Sequence, residues 1–402
     1  MFNVAHFISS YISERPESMF LSDIDSNRLE LQKLVKGKRV LVIGGAGTIG
    51  SSYIRAILPF HPAQLMVVDI SENGLTELTR DLRSTYGMYV PENYKTYPLN
   101  FADPIFEKIF LQNSGFDIVA NFSAHKHVRS EKDRWSVQGL LENNVLKARK
   151  LLDLLTEIPP EHFFCVSTDK AANPVNIMGA SKRIMEDMIM SYSDKFKVTT
   201  ARFANVAFSN GSLLAGFIER MMKNQPLSSP NDVKRYFVSP EESGQICMLA
   251  CLLGRNREIF FPKLGEEQMM TFSSIADKLL QTLGYEIKYC SSEEEARKFA
   301  AEMPADSKEY PVYYFKSDTT GEKGYEEFYV PGEHLNLERF NSLGVIDSVK
   351  PRPKDELELF LAELNTILQK ETTTKEEIVS VLKSYLPNFN HEEKGKTLDQ
   401  KM

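Results

Sequence analysis

A glycine-rich turn between a strand and a helix constrains the fold of this chain more than any other feature. Residues 44–50 read G-G-A-G-T-I-G, with a short apolar run before them and a helical pattern after them. Glycines at Gly44, Gly47 and Gly50 allow a tight bend, a close approach of backbone to a pyrophosphate, and close packing of the helix on the strand. The first N–H groups of the helix would face the phosphates. The pattern predicts the first β-α-β unit of a dinucleotide-binding sheet.

An acidic residue at the end of the next strand indicates which dinucleotide binds. Asp69 closes the apolar run 64–69, at the usual distance of about 20 residues from such a turn. Its carboxylate can accept hydrogen bonds from the adenosine ribose hydroxyls and would repel a 2′-phosphate. No arginine stands at 70–73 to neutralise that phosphate. We therefore predict NAD rather than NADP.

Further contacts to NAD are predicted from the turn and from loops that follow other strands. In open α/β sheets the ligand lies outside the carboxyl ends of the strands, where these loops converge. Besides the glycines and Asp69, the expected contacts are Thr48, Ile49, Ser71, Asn73, Asn100, Phe101, Ser123, Ala124 and Lys126.

Strand-like and helix-like patterns alternate through the first half of the chain. A helical pattern separates successive apolar runs, which occupy residues 39–43, 64–69, 94–99, 117–122, 162–167 and 198–203. Such alternation builds a parallel sheet with helices on both faces. The predicted fold class is α/β: a Rossmann-like, doubly wound parallel sheet with a smaller C-terminal substrate-binding domain and a helical tail.

We expect the chain to divide into four parts. Residues 1–37 form an N-terminal helical extension, and residues 38–206 form the NAD-binding Rossmann domain. Residues 207–348 form the substrate domain, partly interleaved with the sheet. Residues 349–402 form C-terminal helices and a mobile tail, since the last residues are charged and lack apolar periodicity.

The chemistry is predicted to lie between residues 166 and 183, where a strand passes through a loop into a helix. Asp169 and Lys170 put a carboxylate and an amine side by side on the loop. Met178 and Lys182 are four residues apart, so they share one face of the following helix. An acid beside an amine suits proton transfer around an oxidised substrate. A loop salt bridge without function is the alternative.

Composition excludes several classes of protein. A net charge of −7 argues against a general nucleic-acid binder. No apolar run approaches the ~20 residues of a membrane span, and the N-terminus lacks a signal-peptide pattern. The four cysteines have no neighbouring histidine or cysteine to complete a metal set, so we expect buried thiols in a reducing compartment and no metal. These observations predict a cytoplasmic protein that does not insert into membranes.

Four sequence blocks carry a resemblance to a known family. They read G-G-A-G-T-I-G, S-A-H-K-H-V, S-T-D-K-A-A-N-P-V-N-I-M-G-A-S-K and R-F-A-N-V-A-F-S-N-G-S. The blocks resemble the extended short-chain dehydrogenase/reductase superfamily and, within it, the bacterial UDP-N-acetylglucosamine 4,6-dehydratases of polysaccharide and glycan synthesis. The resemblance covers roughly residues 38–345. Membrane-anchored members carry a transmembrane domain ahead of this one. No such domain is expected in this chain, so it resembles the short soluble members.

The resemblance implies a dehydration of UDP-N-acetylglucosamine, or of a related UDP-sugar, with an internal redox cycle. Hydride leaves C4 of the sugar, water is lost across C5–C6, and the hydride returns to C6 while NAD stays tightly bound and is recycled. Lys170 is implied as the base for the C5 proton and Asp169 as the acid for the departing hydroxyl. The product is a UDP-4-keto-6-deoxy-N-acetylhexosamine.

Met178 departs from the superfamily pattern. The usual signature is Tyr-x-x-x-Lys, in which the tyrosine removes the proton of the C4 hydroxyl, and a thioether has no titratable proton. Thr168, Lys182 or an ordered water remain candidates for that base. The resemblance implies that Lys182 keeps its second task, a hydrogen bond to the nicotinamide ribose.

Residues beyond the sixth strand are expected to hold the substrate. The loop 205–212 resembles the family's nucleotide-sugar loop, and Ser212 could cap the helix that follows it. Arg235 stands in V-K-R-Y-F, which resembles T-R-Y-F, whose arginine meets the substrate. Residues 321–327 resemble R-P-G-E-K-x-x-E-E, although Thr319 and Thr320 replace its arginine and proline. The predicted substrate contacts are Lys126, Asn205, Ser209, Gly211, Ser212, Arg235, Glu322 and Lys323.

Two alternative functions stay open from the sequence. The first is a UDP-sugar epimerase, acting at C4 or C5, that oxidises the sugar without eliminating water. The second is a non-catalytic NAD-binding sensor, for which loss of the tyrosine would be natural. The resemblance also implies a homodimer or a higher homo-oligomer, paired through the helices after strands four and five.

Overall fold

The architecture is a nine-stranded, mostly parallel sheet covered by helices. The computed structural model describes residues 2–318 and 324–391. The parallel strands of the first half are β1 (Arg39–Ile43), β2 (Gln64–Asp69), β3 (Asn93–Pro98), β4 (Ile118–Asn121), β5 (His162–Val166) and β6 (Val198–Ala201). The later strands are β7 (Asn205–Val206), β8 (Leu227–Pro230), β9 (Lys234–Arg235), β10 (Phe237–Val238), β11 (Glu258–Pro262), β12 (Met270–Thr271), β13 (Glu286–Tyr289), β14 (Glu309–Phe315), β15 (Leu335–Asn336) and β16 (Leu343–Ile346).

Helices fill most of the segments between the strands. In the first half they are α1 (Val4–Tyr11), α2 (Leu21–Ser26), α3 (Arg28–Val35), α4 (Thr48–Ile57), α5 (Glu72–Ser84), α6 (Pro104–Gln112), α7 (Arg134–Leu141), α8 (Ala148–Glu157) and α9 (Ile177–Met190). In the second half they are α10 (Leu213–Met222), α11 (Pro240–Leu253), α12 (Phe272–Thr282), α13 (Glu293–Glu302), α14 (Lys354–Gln369) and α15 (Lys375–Tyr385). A π-helical segment, Glu142–Lys147, joins α7 to α8.

The strand order β3-β2-β1-β4-β5-β6-β11 places a crevice at the carboxyl ends of β1 and β4, where the order reverses. These strands pair in parallel, and antiparallel β16 and β15 complete the sheet beyond β11. Strands β1, β2, β4 and β5 are almost wholly buried because helices cover both faces, which explains their continuous apolar runs. The predicted α/β fold class is confirmed.

A second, smaller core lies beyond β6. The parallel sheet β13-β14-β8 packs against α10 and α12. Helix α1 of the N-terminal extension joins this core through Phe7, whose ring lies 5.9 Å from that of Phe208. Leu31 and Val35 of α3 instead pack on the main core. The N-terminal extension therefore touches both cores.

The C-terminal helices α14 and α15 form a hairpin on the main core. The rings of Phe360 and Tyr385 stack across it at 4.1 Å. Arg149 of α8 binds Glu358 at 2.7 Å, and Arg352 binds Asp187 of α9 at 2.9 Å. The hairpin thus packs on the two helices that follow strands four and five. The homo-oligomeric state stays a prediction.

Several predicted features lie outside the described residues, namely Glu322, Lys323 and residues 392–402 of the tail. All four cysteines are buried and unpaired. No helix within residues 2–318 and 324–391 has the length and apolar character to cross a membrane. Among the same residues, no group of three or more histidine, cysteine or acidic side chains is placed to hold a metal ion.

Candidate active site

A cavity of about 660 Å³ opens at the carboxyl ends of the central strands, between the two cores. The loops after β4, β5 and β6 form one wall, and α9 forms the floor. Helix α10, strand β8 and the aromatic side chains Phe272 and Phe315 form the far wall. The cations that line it are Lys126, Lys170, Lys182 and Arg220, whereas the acidic lining residue is Glu219. This excess of positive charge favours an anionic ligand.

The glycine turn forms a tight cradle at one end of the cavity. Gly44 has a φ of +74°, and a Cβ there would lie 2.6 Å from the backbone N of Ser123. A Cβ on Gly50 would lie 2.3 Å from the carbonyl oxygen of Gly44. Helix α4 begins within the turn at Thr48, so its free N–H groups point into the cradle. This geometry fits the pyrophosphate of a dinucleotide.

Asp69 lies beside the glycine turn. Its Oδ2 accepts a hydrogen bond from the Ala46 N–H at 3.0 Å, and its Oδ1 accepts one from the Ser71 N–H at 2.9 Å. The carboxylate is therefore fixed at the point where the adenosine ribose of a dinucleotide would lie. The residues present fit NAD.

The other predicted cofactor residues fall into two groups. Ile49 and Ala124 line the cavity, and Thr48 Oγ1 accepts a hydrogen bond from the Asn210 N–H. The rest lie along the crevice outside the cavity lining. They are Ser71, which caps α5, Asn73 in the first turn of α5, Asn100, Phe101 and Ser123. Their contacts to NAD stay predictions.

The loop after β5 presents two of its three predicted catalytic side chains to the cavity. Thr168 and Lys170 line it, whereas Asp169 is buried beneath them. Asp169 Oδ1 accepts hydrogen bonds from Thr168 Oγ1 at 2.7 Å, from the Lys170 N–H at 2.8 Å and from Lys170 Nζ at 3.0 Å. Asp169 is therefore linked to the cavity through its hydrogen bonds to Thr168 and Lys170. The sequence did not indicate that this carboxylate is buried.

Met178 and Lys182 share the face of α9 that lines the cavity, as their spacing predicted. Lys182 Nζ donates to the carbonyl of Val166 at 2.8 Å, so the amine is fixed against the end of β5. Burial lowers the pKa of the Lys182 amine, although Cys165 and Glu186 oppose the shift. Met178 presents a side chain without a titratable proton to the cavity.

Asn144, in the π-helical segment, ties the loop after β4 to α9. Its Oδ1 accepts from the His125 N–H at 2.8 Å, while its Nδ2 donates to the His125 carbonyl at 2.9 Å. Nδ2 also donates to Ser181 Oγ at 3.0 Å, and Ser181 in turn donates to the Met178 carbonyl at 2.7 Å. One buried amide therefore fixes the loop after β4, which belongs to one wall, against α9, which forms the floor of the cavity.

A buried ion-pair network supports the start of the loop after β5, the predicted catalytic loop. Ser167 Oγ donates to Glu186 Oε1 at 2.6 Å, and Arg202 contacts Glu186 Oε2 at 2.8 Å and Glu333 Oε1 at 2.9 Å. Burial alone would raise the pKa of Glu186, but the charge and hydrogen bonds of Arg202 hold it below its ordinary value. The network fixes the end of β5 against α9.

The predicted nucleotide-sugar loop lies on the cavity wall. Asn205, Ser209, Gly211 and Ser212 line the cavity, and Ser212 caps α10 by accepting from the Ala215 N–H. Lys126 Nζ donates to the Asn210 carbonyl at 3.0 Å, which links this loop to the one after β4. Burial lowers the pKa of the Lys126 amine.

Arg235 lies behind the cavity wall rather than in the lining. Its Nη1 donates to the carbonyls of Lys234 and Gly324, and the residue is 5% exposed. Glu326 lies between Arg235 and the catalytic loop, since its Oε1 is 3.8 Å from both Arg235 Nη2 and Lys170 Nζ. Sequence reasoning did not single out Glu326, although it belongs to the motif-like stretch 321–327. A contact between Arg235 and a substrate stays a prediction.

The far end of the cavity holds polar groups that sequence reasoning missed. Ser228 Oγ, Ser229 Oγ and Arg220 Nε are buried there without a hydrogen-bond partner among the described residues. Both serines belong to β8, the edge strand of the small sheet. Buried polar groups normally have partners, so these atoms indicate a polar ligand at this end.

Comparisons with known proteins give a family match over most of the chain. The family described as "Polysaccharide biosynthesis protein" matches residues 40–346. That range runs from the first strand of the sheet to β16, and it includes every described residue of the cavity lining.

Curated relatives are distant in sequence. An uncharacterized membrane protein of Methanocaldococcus jannaschii is 28% identical, with 79% of this chain and 88% of that protein covered. The probable polysaccharide biosynthesis protein EpsC of Bacillus subtilis is 28% identical over 64% of this chain, which spans only 42% of EpsC. A UDP-N-acetylglucosamine 4,6-dehydratase (inverting) of Campylobacter jejuni is 24% identical, with 63% of this chain and 74% of that enzyme covered.

Solved structures share the fold at lower identity. Pen from Bacillus thuringiensis is 20% identical with a TM-score of 0.62, covering 79% of this chain and 89% of that chain. A UDP-N-acetylglucosamine 4-epimerase from Methanobrevibacter ruminantium is 16% identical with a TM-score of 0.55, covering 86% of this chain and 99% of that chain. The similar proteins therefore include a dehydratase and an epimerase on the same fold.

Proposed function

The chain belongs to the polysaccharide biosynthesis protein family, and we propose that it is an NAD-dependent 4,6-dehydratase of UDP-N-acetylglucosamine. The product is a UDP-4-keto-6-deoxy-N-acetylhexosamine for surface polysaccharide or glycan synthesis. The observation that carries the proposal is the position of Lys170. Lys170 lines the cavity together with Met178 and Lys182, and its amine lies 3.0 Å from a buried carboxylate. An epimerase that acts only at C4 needs a base for the C4 hydroxyl, but it needs no acid–base pair for an elimination across C5–C6.

We propose that the glycine turn, Asp69 and Lys182 hold NAD. The turn accommodates the pyrophosphate, Asp69 accepts from the adenosine ribose, and Lys182 donates to the nicotinamide ribose beside Met178. NAD, when bound, supplies the oxidant at C4 and returns the hydride at C6. Because oxidation and reduction balance within one turnover, the cofactor is expected to stay bound and to need no external reductant.

Thr168 is proposed to replace the missing tyrosine as the group that takes the proton of the C4 hydroxyl. Its Oγ1 lines the cavity and already donates to Asp169 Oδ1 at 2.7 Å. Thr168 can therefore take the hydroxyl proton while passing its own proton to Asp169. Lys182 suits this task less well, since its amine is committed to the Val166 carbonyl.

Asp169 and Lys170 then catalyse the elimination. Lys170 acts as the neutral amine and takes the C5 proton, which the C4 ketone makes acidic, so the C5–H and C6–O bonds break as the C5=C6 bond forms. Asp169 returns its proton through Thr168 to the departing hydroxyl, which leaves as water. Lys170 reprotonates C5 when hydride arrives at C6. Atoms and electrons balance, because the proton lost at C4–OH leaves with the water.

The charge of the cavity supports a nucleotide diphosphate as the anionic part of the substrate. Lys126 and Arg220 lie on the walls beyond the catalytic loop, and the unpartnered serines of β8 lie at the far end. We propose that the two cations bind the diphosphate and that Ser228 and Ser229 meet the polar edge of the base.

Replacing Arg220 by methionine should raise KM for UDP-N-acetylglucosamine about 10-fold or more and change kcat less than twofold. A charge-assisted hydrogen bond contributes roughly 1.5–3 kcal/mol, and its loss affects ground state and transition state alike. Steady-state kinetics measure both constants. Arg80→Met, an exposed arginine on α5, is the control and should leave both unchanged. A wild-type KM in Arg220→Met would remove this residue from the substrate site.

The reaction is tested by incubating the purified protein with UDP-N-acetylglucosamine in deuterated water without added NAD. We expect a 4-keto-6-deoxy product that carries one deuterium at C5, because the C5 proton exchanges with solvent through Lys170. Mass spectrometry and proton NMR identify the product, and its coupling constants report the configuration at C5.

Other outcomes of the same incubation separate the alternatives. A C4 epimer without solvent label would contradict elimination and establish the epimerase. Unchanged substrate and no tightly held NAD would favour the sensor. Lys170→Met in parallel controls for label introduced without enzyme turnover.

A further inference from the structure

A buried carboxylate outside the proposed chemistry lies at the start of the helix that carries Met178 and Lys182. Glu131 ends the 3₁₀ turn Val128–Glu131, which continues directly from the cavity-lining residues Lys126 and His127. Its Oε1 accepts the Met178 N–H at 2.9 Å, and the residue is 4% exposed. The first N–H groups of a helix lack partners within the helix, so an acceptor from another segment can satisfy one of them. Glu131 therefore caps α9 from another segment of the chain.

The C-terminal hairpin and the residues after it contact Glu131. Lys375, the first residue of α15, donates from Nζ to the Glu131 carbonyl at 2.6 Å. His391 places Nε2 3.6 Å from Glu131 Oε2, and both side chains are at most 4% exposed. Neither Glu131 Oε2 nor His391 Nε2 has a hydrogen-bond partner within the described residues, so the two atoms are complementary polar neighbours. Phe389, whose ring lies 5.7 Å from that of His391, is also buried.

The hairpin also contacts α9 farther along its length. Arg352, just before α14, binds Asp187 of α9 at 2.9 Å and lies over the ring of Tyr385 at 4.3 Å. The hairpin therefore contacts the first turn of α9 through Glu131 and its third turn through Asp187. The family match ends at residue 346, so these contacts come from a part of the chain beyond the matched residues.

We propose that Glu131 is a positioning residue for α9 and that the C-terminal hairpin, through Lys375 and His391, holds Glu131 in place. The first turn of α9 carries Met178, and Lys182 follows one turn later, so the cap sets how both side chains meet the nicotinamide and the sugar. Misplacement of a catalytic group by about 1 Å can cost up to 10²-fold in rate. The expected consequence is a loss of kcat rather than of substrate affinity. The kinetic part of this inference rests on the proposed dehydratase function.

The test compares Glu131→Ala, Glu131→Gln and His391→Ala in the full chain. Glu131→Ala removes the acceptor for the Met178 N–H, so we expect kcat to fall about 10-fold with KM within twofold. Glu131→Gln keeps an amide oxygen for that N–H and an NH₂ group for His391, so it should restore kcat to within threefold of wild type. His391→Ala should fall between the two. His334→Ala, a histidine in an exposed pair with Asp347, is the matched control and should behave as wild type.

Hydrogen–deuterium exchange of the peptide that contains Met178 gives a readout that needs no turnover. Its amides should exchange at least 10-fold faster in Glu131→Ala, and faster also in His391→Ala, but at the wild-type rate in His334→Ala. Faster exchange without any dehydratase activity in the wild type would support the positioning role and contradict only the reaction. Wild-type exchange and wild-type kcat in Glu131→Ala would overturn the inference. Equal losses of kcat in Glu131→Ala and Glu131→Gln would also overturn it, because they would indicate a requirement for charge rather than for the cap.

Discussion

Replacing Lys170 by methionine is expected to lower turnover of UDP-N-acetylglucosamine about 10³-fold while the protein keeps its NAD. General acid–base catalysis by one positioned side chain contributes typically 10²–10⁴-fold. Methionine retains much of the length of lysine but has no amine to take the C5 proton. The glycine turn and Asp69, which we propose to hold NAD, follow β1 and end β2, whereas Lys170 follows β5. Single-turnover kinetics and the NAD content of the purified variant measure the two effects separately.

Lys170→Arg separates the proton-transfer role from hydrogen bonding. A guanidinium keeps N–H donors beside Asp169 and Glu326, but it does not lose a proton in a protein. We therefore expect Lys170→Arg to be as inactive as Lys170→Met and to unfold closer to the wild-type temperature. Solvent deuterium should enter C5 in neither variant. An active Lys170→Met enzyme would remove Lys170 as the base and with it the proposed elimination.

Replacing Gly50 by alanine is expected to reduce bound NAD below about a tenth of the wild-type occupancy. A Cβ at this position would lie 2.3 Å from the Gly44 carbonyl oxygen and 2.8 Å from the Gly45 Cα. Both neighbours are backbone atoms of the turn, so the turn must open or α4 must move away from it. Such overpacking costs roughly 1–3 kcal/mol, and the shift displaces the N–H groups that face the pyrophosphate. Absorbance of the released cofactor and the thermal midpoint of unfolding measure the outcome.

Gly139→Ala is the matched control for this substitution. Gly139 lies within α7, and among the described residues no atom outside its own helix lies within 4 Å of a Cβ placed there. Alanine in a helix interior is favoured over glycine by roughly 0.5–1 kcal/mol, so this variant should be at least as stable as the wild type and keep its NAD. Full NAD occupancy in Gly50→Ala would contradict the assignment of the turn as the pyrophosphate site.

Much of the sheet and half of the site could be predicted from local patterns. The run G-G-A-G-T-I-G specifies its turn because only glycine fits the positions of Gly44 and Gly50, and this requirement acts within a few residues. The spacing of Met178 and Lys182 placed both on one face of α9, since four residues span about one helical turn. The predicted strands likewise follow from apolar runs that are short and buried on both faces.

The groups that complete the site could not be read in this way. Glu326 reaches Lys170 across more than 150 residues of chain, and Ser228 and Ser229 carry no periodic signal. Asn144 belongs to a polar pair within a helical pattern. Such a pair indicates that buried amides need hydrogen-bond partners, but it does not indicate which residues those partners are. Glu131 and His391 come from a turn and from the C-terminal segment. Each of these contacts depends on how elements far apart in the chain pack together. The spacing of residues in the sequence does not predict that packing.

Sequence by itself determined the glycine turn, the parallel sheet and the loop and helix that carry the candidate site, because turns and hydrophobic periodicity act over a few neighbouring residues. Tertiary structure alone decided that Asp169 lies beneath Thr168 and Lys170, that Arg220 rather than Arg235 lines the cavity, and that the C-terminal hairpin braces α9. Side chains far apart in the chain meet only where packing and hydrogen bonding of whole elements bring them together. The direction in which a buried carboxylate points is therefore a property of the fold and not of its motif.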